Sequence, residues 1–104
     1  MDLDKLKEKL SKYKKSEVVI TMHAEIRALG RGIDLNEVKE NIVNPEKLVY
    51  AKKTDAKFKG EEKYEWYFAY SKMYCHKYAL TINRKIIIIT IISINRDWQR
   101  MIRR

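Results

Sequence analysis

Hydrophobic residues keep helical spacing in the first half of this 104-residue chain and alternate by two in the second. Leu3, Leu6, Leu10 and Tyr13 recur at helical period while Lys5, Lys9, Lys12 and Lys15 take other positions, which predicts a helix from Asp2 to about Lys14. Glu17 to Ile20 is short and β-branched. It reads as a strand that stops where Thr21 can cap a helix from Met22 to about Leu29, with Gly30 and Gly32 ending that helix. The next helix has the clearest local grammar: Asp34 as N-cap, Glu37 three residues on as in a capping box, and Ile33 and Val38 placed for a hydrophobic staple. Leu35, Val38 and Ile42 form its apolar stripe, and Asn44-Pro45 ends it because proline disfavours a helical residue before it.

Beyond Pro45 the period falls to two. Lys47 to Lys52 is predicted as a strand and the polar run Lys53 to Lys63 as a loop. Tyr64, Trp66, Phe68 and Tyr70 alternate with Glu65, Tyr67, Ala69 and Ser71, so four aromatics share one strand face. Tyr78 to Ile82 and Lys85 to Ile94 flank Asn83-Arg84, read as a two-residue hairpin turn. Seven isoleucines between Ile86 and Ile94 leave no polar face, which predicts a central strand covered on both sides. Asn95 is placed to cap a closing helix that runs to about Ile102. The expected fold is α+β: a mainly antiparallel sheet of four to five strands with N-terminal helices packed on it and a C-terminal helix.

Length and composition narrow the class. One domain spanning residues 1–104 is expected, and 45% hydrophobic residues with three Gly and one Pro exclude a disordered or collagen-like chain. Cys75 is the one cysteine, so no internal disulfide framework and no Cys-rich zinc site can form, and no metal or cofactor is expected. Residues 1–16 never give an apolar run of three, and the run from Ile86 to Ile94 is far short of a membrane span; a cytoplasmic protein without a membrane role is expected.

Charge changes the picture most. The chain carries +9, and residues 51–104 hold thirteen Lys plus Arg against five Asp plus Glu, whereas residues 1–50 hold ten against nine. A basic surplus gathered in one half points to an acidic macromolecule as partner.

His23, Arg27 and Arg31 fall at i, i+4 and i+8, so they project from one side if the helix continues past Gly30. Two guanidiniums can fork onto a phosphate, and an imidazole can move a proton near neutral pH. The plainer alternative is a solvated face on which His23 pairs with Glu25 or Glu17. His76 follows Cys75, but neighbours on a strand point to opposite faces, so the two are not expected to act as nucleophile and base. The aromatic block from Tyr64 to Tyr78 could stack on unpaired bases, although most rings at period two are expected in the core. Arg84, Arg96, Arg100 and Lys77 complete the candidate nucleic-acid contacts, with Arg96 and Arg100 on a basic closing segment beside Trp98 and Met101.

The run His23-Ala24-x-x-Arg27-x-x-x-Arg31-Gly32-Ile33, followed by Glu37-Val38 and Asn44-Pro45, closely resembles the signature of the domain of unknown function 4258 family. That family is similar to RelE-like and BrnT-like toxins, RNA-cleaving members of toxin-antitoxin pairs with a RelE-like or barnase-like α+β fold. The ending Ile91 to Arg96, with Arg100, is similar to the strand-to-basic-helix end of BrnT-like toxins. Residues 1–15 lie outside the match as a helical extension suited to dimerisation or partner contact.

This resemblance implies an endoribonuclease acting on RNA or ribosome-bound mRNA, with His23, Arg27 and Arg31 at the scissile phosphate and an acidic antitoxin as a protein partner. Two other functions fit the same residues: a nucleic-acid-binding module without catalysis, and an interaction subunit that docks an acidic protein.

Overall fold

A computed structural model describes residues 2–55 and 59–102. The chain forms α1 (Leu3–Ser11), a 3-10 turn (Lys15–Glu17), β1 (Val18–Ile20), α2 (Met22–Gly30), α3 (Leu35–Val43), β2 (Leu48–Thr54), β3 (Glu62–Ser71), β4 (Tyr74–Ile82), β5 (Ile86–Ile94) and α4 (Trp98–Ile102). Five strands make one sheet in the order β1-β5-β4-β3-β2. Three of its four pairings are antiparallel, and β1 lies parallel to β5. The α+β class and the largely antiparallel sheet follow the sequence pattern.

Alternation sorts the sheet into two faces. Tyr64, Trp66 and Phe68 of β3 stand opposite Leu80, Tyr78 and His76 of β4, and these side chains share a core with Leu6 and Leu10 of α1, Ala24 and Ala28 of α2, and Val38 and Ile42 of α3. The other face carries a smaller cluster in which Tyr67, Cys75 and Ile94 are covered by Trp98 of α4. A register shift between Ala79 and Leu80 lets Ile91, Ile88 and Ile86 of β5 all reach the helical face. Burying these aliphatic and aromatic side chains contributes about 1.5–3 kcal/mol each. Most aromatic rings of β3 and β4 therefore serve the core and are not a stacking platform: only Tyr70 and Tyr74 keep partial exposure.

Several local expectations need correction. The first helix ends at Ser11, and the chain turns through a separate 3-10 element whose Glu17 carboxylate accepts from the Lys14 N–H at 3.0 Å. Asp34 caps α3 by accepting from Asn36 N–H at 2.8 Å, but Glu37 does not close a capping box because it is drawn to Tyr70 instead. The link between β4 and β5 is three residues, Asn83 to Lys85, and neither Asn83 nor Arg84 takes the positive φ that a tight primed turn requires. Asp97, not Asn95, caps α4 by accepting from Gln99 N–H at 3.1 Å. Strand β2 reaches Thr54 and β3 begins at Glu62, which shortens the expected loop; part of that loop lies outside the described residues.

Candidate functional site

Thr21 accepts from Ala24 N–H at 3.2 Å and starts α2, while its own N–H donates to the Ile88 carbonyl at 3.1 Å and ties that start to β5. Ala24 and Ala28 are fully buried against the core, and their small side chains let α2 lie close on β5. Gly32, at φ 66°, reverses the chain, and Ile33 N–H returns to the Ala28 carbonyl at 2.9 Å.

This packing leaves His23 and Arg27 together on one exposed flank of α2, with Arg31 following as the exposed C-cap residue. Among the described residues none of the three forms an ion pair, so the expected pairing of His23 with Glu25 or Glu17 is not found. The Arg31 guanidinium bends back to donate to the Arg27 carbonyl at 3.3 Å, at the negative end of the helix dipole. Ile26, Arg27, Gly30 and Arg31 line a shallow hollow there, and among the described residues no rear cation joins them.

Rear cations occupy different settings. Arg84 and Arg96 are exposed beyond the two opposite ends of β5, and neither forms an ion pair among the described residues. Arg100 lies 4.0 Å from the Asp97 carboxylate. Lys77 projects from the α4 face of the sheet, 2.7 Å from the Glu65 carboxylate and over the Tyr67 ring. Burial pulls the Lys77 ammonium down, but the Glu65 carboxylate and the neighbouring Tyr67 outweigh that and hold it above its ordinary value. Its charge is thus already balanced.

The structure also assembles a polar cluster that sequence spacing did not single out. The Tyr70 hydroxyl donates to Glu37 at 2.7 Å, and Asn41 Nδ2 donates to the hydroxyls of Tyr70 at 2.8 Å and Tyr78 at 2.9 Å. His76, nearly fully buried, has Nδ1 at 2.8 Å from Tyr78 and Nε2 at 3.1 Å from Tyr74. Because Tyr70 gives its proton to a carboxylate, Asn41 must present its NH2 group, and Tyr78, already an acceptor, must donate to His76 Nδ1. His76 therefore carries its proton on Nε2 and donates to the half-buried Tyr74 hydroxyl. Burial pushes the His76 pKa down, against a small opposing pull from Glu37. Tyr70 and Tyr78 are pushed well above the ordinary phenol value, chiefly by burial. The cluster holds a neutral imidazole in one tautomer and binds α3 to the sheet.

Cys75 points to the opposite face, as strand alternation requires, and burial raises its thiol to about 11. Among the described residues, no three His, Cys, Asp or Glu side chains gather to hold a metal ion. No helix among them is long and apolar enough to cross a membrane. No family model matches this chain, nor does any curated protein or solved structure.

Proposed function

We propose that this chain is an RNA-directed endoribonuclease of the RelE-like and BrnT-like toxin type, with a fold of that kind, acting in the cytoplasm on free or ribosome-bound RNA. The observation that supports it is the exposed row of His23, Arg27 and Arg31, none of which pairs with a carboxylate among the described residues. Cleavage through the RNA's own 2′-hydroxyl needs a base for that hydroxyl, positive charge for the phosphorane-like transition state and a proton for the departing 5′-oxygen. Arg27 and Arg31 supply the charge and His23 moves the proton, while Arg84 and Arg96, exposed and without an ion pair among the described residues, are the rear cations left to meet flanking phosphates. Arg100 and Lys77 stand behind them, since each already has an acidic neighbour.

The assay is incubation of the folded protein with single-stranded RNA, with and without translating ribosomes, and analysis of the cut ends for 2′,3′-cyclic phosphate. Cleavage in either setting, reduced by about 100-fold or more in His23→Ala, is expected. Intact RNA in both settings refutes the enzyme.

A second reading is a nucleic-acid-binding module without catalysis. What favours it is that His23 makes no hydrogen bond to an orienting group among the described residues. In that case His23→Ala binds RNA as the parent does and no cut ends form under any condition.

A further inference from the structure

Large apolar side chains normally leave the surface of a basic domain, yet α2 presents three of them to solvent. Met22 is 76% exposed, Ile26 62% and Leu29 74%. They stand at i, i+4 and i+7, one continuous stripe on a helix. With Val19 in β1 they make four of the five large apolar side chains left exposed among the described residues. Scattered exposed apolar residues need no explanation, but a contiguous patch does. The stripe has no duty in the core, because the opposite side of α2 seats the helix through Ala24 and Ala28.

The two borders of the stripe differ. On one side lie His23, Arg27 and Arg31; on the other lies Glu25, beside a groove bounded by Val19, Ile20, Leu35 and Lys39. Gly30 leaves the hollow beside Arg27 and Arg31 open: a Cβ added there meets nothing within 4 Å. A side chain from another molecule can enter that hole between Ile26 and the arginines, as helix packing requires.

Charge selects the occupant. An antiparallel pairing of two α2 stripes sets like border against like, Arg27 against Arg27, in a chain that already carries +9. A parallel pairing offers each cationic border only Glu25. We infer that the exposed face of α2 docks an acidic amphipathic helix of a partner protein, whose apolar residues cover Met22, Ile26 and Leu29 and whose carboxylates meet His23, Arg27 and Arg31. This surface stands on the stripe, independently of any RNA chemistry.

The probe is a fluorescent helical peptide about 14 residues long, with leucines at helical spacing and glutamates along one border, titrated with the full chain. Its twin carries lysines in place of the glutamates. The glutamate peptide binds at least about tenfold more tightly than the lysine peptide. Ile26→Ser with Leu29→Ser, and separately Gly30→Leu, each weaken it by about tenfold or more. Both variants fold, since the serines replace exposed side chains and the leucine enters open space; circular dichroism checks this. A further variant, Met22→Ser with Leu29→Ser, lies clear of the hollow beside Arg27 and Arg31; it weakens the peptide as well but keeps the parent's affinity for single-stranded RNA, so failure of the docking surface and failure of the RNA reading are separate results. No binding of the glutamate peptide, equal binding of both peptides, or unchanged binding by the stripe variants overturns the inference. It is equally overturned by stripe-dependent binding to phosphatidylserine vesicles that matches the peptide, which identifies a lipid surface. A dimer in sedimentation that Leu29→Ser dissociates assigns the face to a second copy and overturns it as well.

Discussion

The Tyr78 hydroxyl lies 2.8 Å from Nδ1 of His76 and, as the acceptor of an Asn41 N–H at 2.9 Å, sends its own proton to the imidazole. Protonating His76 would turn Nδ1 into a second donor facing Tyr78. The Tyr78 proton would then have no acceptor, so hydrogen bonding and burial both disfavour the imidazolium.

Stability should therefore depend on pH through His76. An imidazole in the unfolded chain takes up a proton near 6.5, whereas the folded one does so only at lower pH. Between those values the unfolded state holds more protons, so stability is complete above about 6.5 and is lost as pH falls toward the folded pKa. Urea unfolding at a series of pH values from 8 to 5, in the wild type and His76→Phe, measures this. The wild-type curve should drop through the window and the curve of the phenylalanine variant should be flatter, while Glu40, lowered by its bond to Lys15, acts only below 4.5.

Asn41 separates donor chemistry from size. Asn41→Ala leaves the Tyr70 and Tyr78 hydroxyls without their donor and should cost about 2 kcal/mol. Asn41→Asp keeps the shape but offers only acceptors beside Glu37, and at pH 7 it should destabilise more than alanine does. Chemical denaturation of both variants tests the order; a more stable Asp variant would mean that the amide is not oriented as described.

Sequence spacing exposed the strands, Thr21, Gly32 and the flank of α2 because each depends on a few neighbouring residues. The Glu37-Asn41-Tyr70-Tyr78-His76 cluster did not show, because its partners lie 29 to 37 residues apart. Glu37 and Asn41 occupied the apparently polar side of α3, and Tyr74, His76 and Tyr78 looked like ordinary alternation. The usable hint was a histidine between two tyrosines at i±2, which places three hydrogen-bonding side chains on one strand face. Glu37 also satisfied a capping pattern that lost to a hydroxyl contributed by β3. Spacing alone does not tell which side of α2 is buried: Met22, Ile26 and Leu29 fit an amphipathic helix, but the buried side is the one with the alanines.

Two glycines of the α2 boundary should respond in opposite directions. Gly30 is helical with open space around it, so Gly30→Ala should raise stability by about 0.5–1 kcal/mol. Gly32 sits at φ 66°, and Gly32→Ala should lower stability by about 1 kcal/mol. Paired thermal melts check both signs.

Cys75 reports on the outer layer. Trp98 packs with it and donates from Nε1 to the Ser71 carbonyl at 2.7 Å, while burial holds the thiol at about 11. Ellman's reagent should modify the native protein slowly, and Trp98→Ala should speed the reaction by about tenfold or more as the layer opens. Equal rates would show that α4 does not guard the thiol.

The exposed α2 flank is tested most directly by the salt dependence of binding to a short single-stranded RNA, compared for the wild type, Arg27→Ala with Arg31→Ala, and Lys77→Ala. The double arginine variant should bind more weakly at every salt concentration, and its logarithmic slope should be shallower by about 0.7 for each phosphate no longer neutralised. Lys77→Ala should keep nearly the wild-type slope because Glu65 already balances that charge. A double variant with the wild-type slope, or a wild type whose binding ignores salt, would contradict the assignment of this flank to RNA.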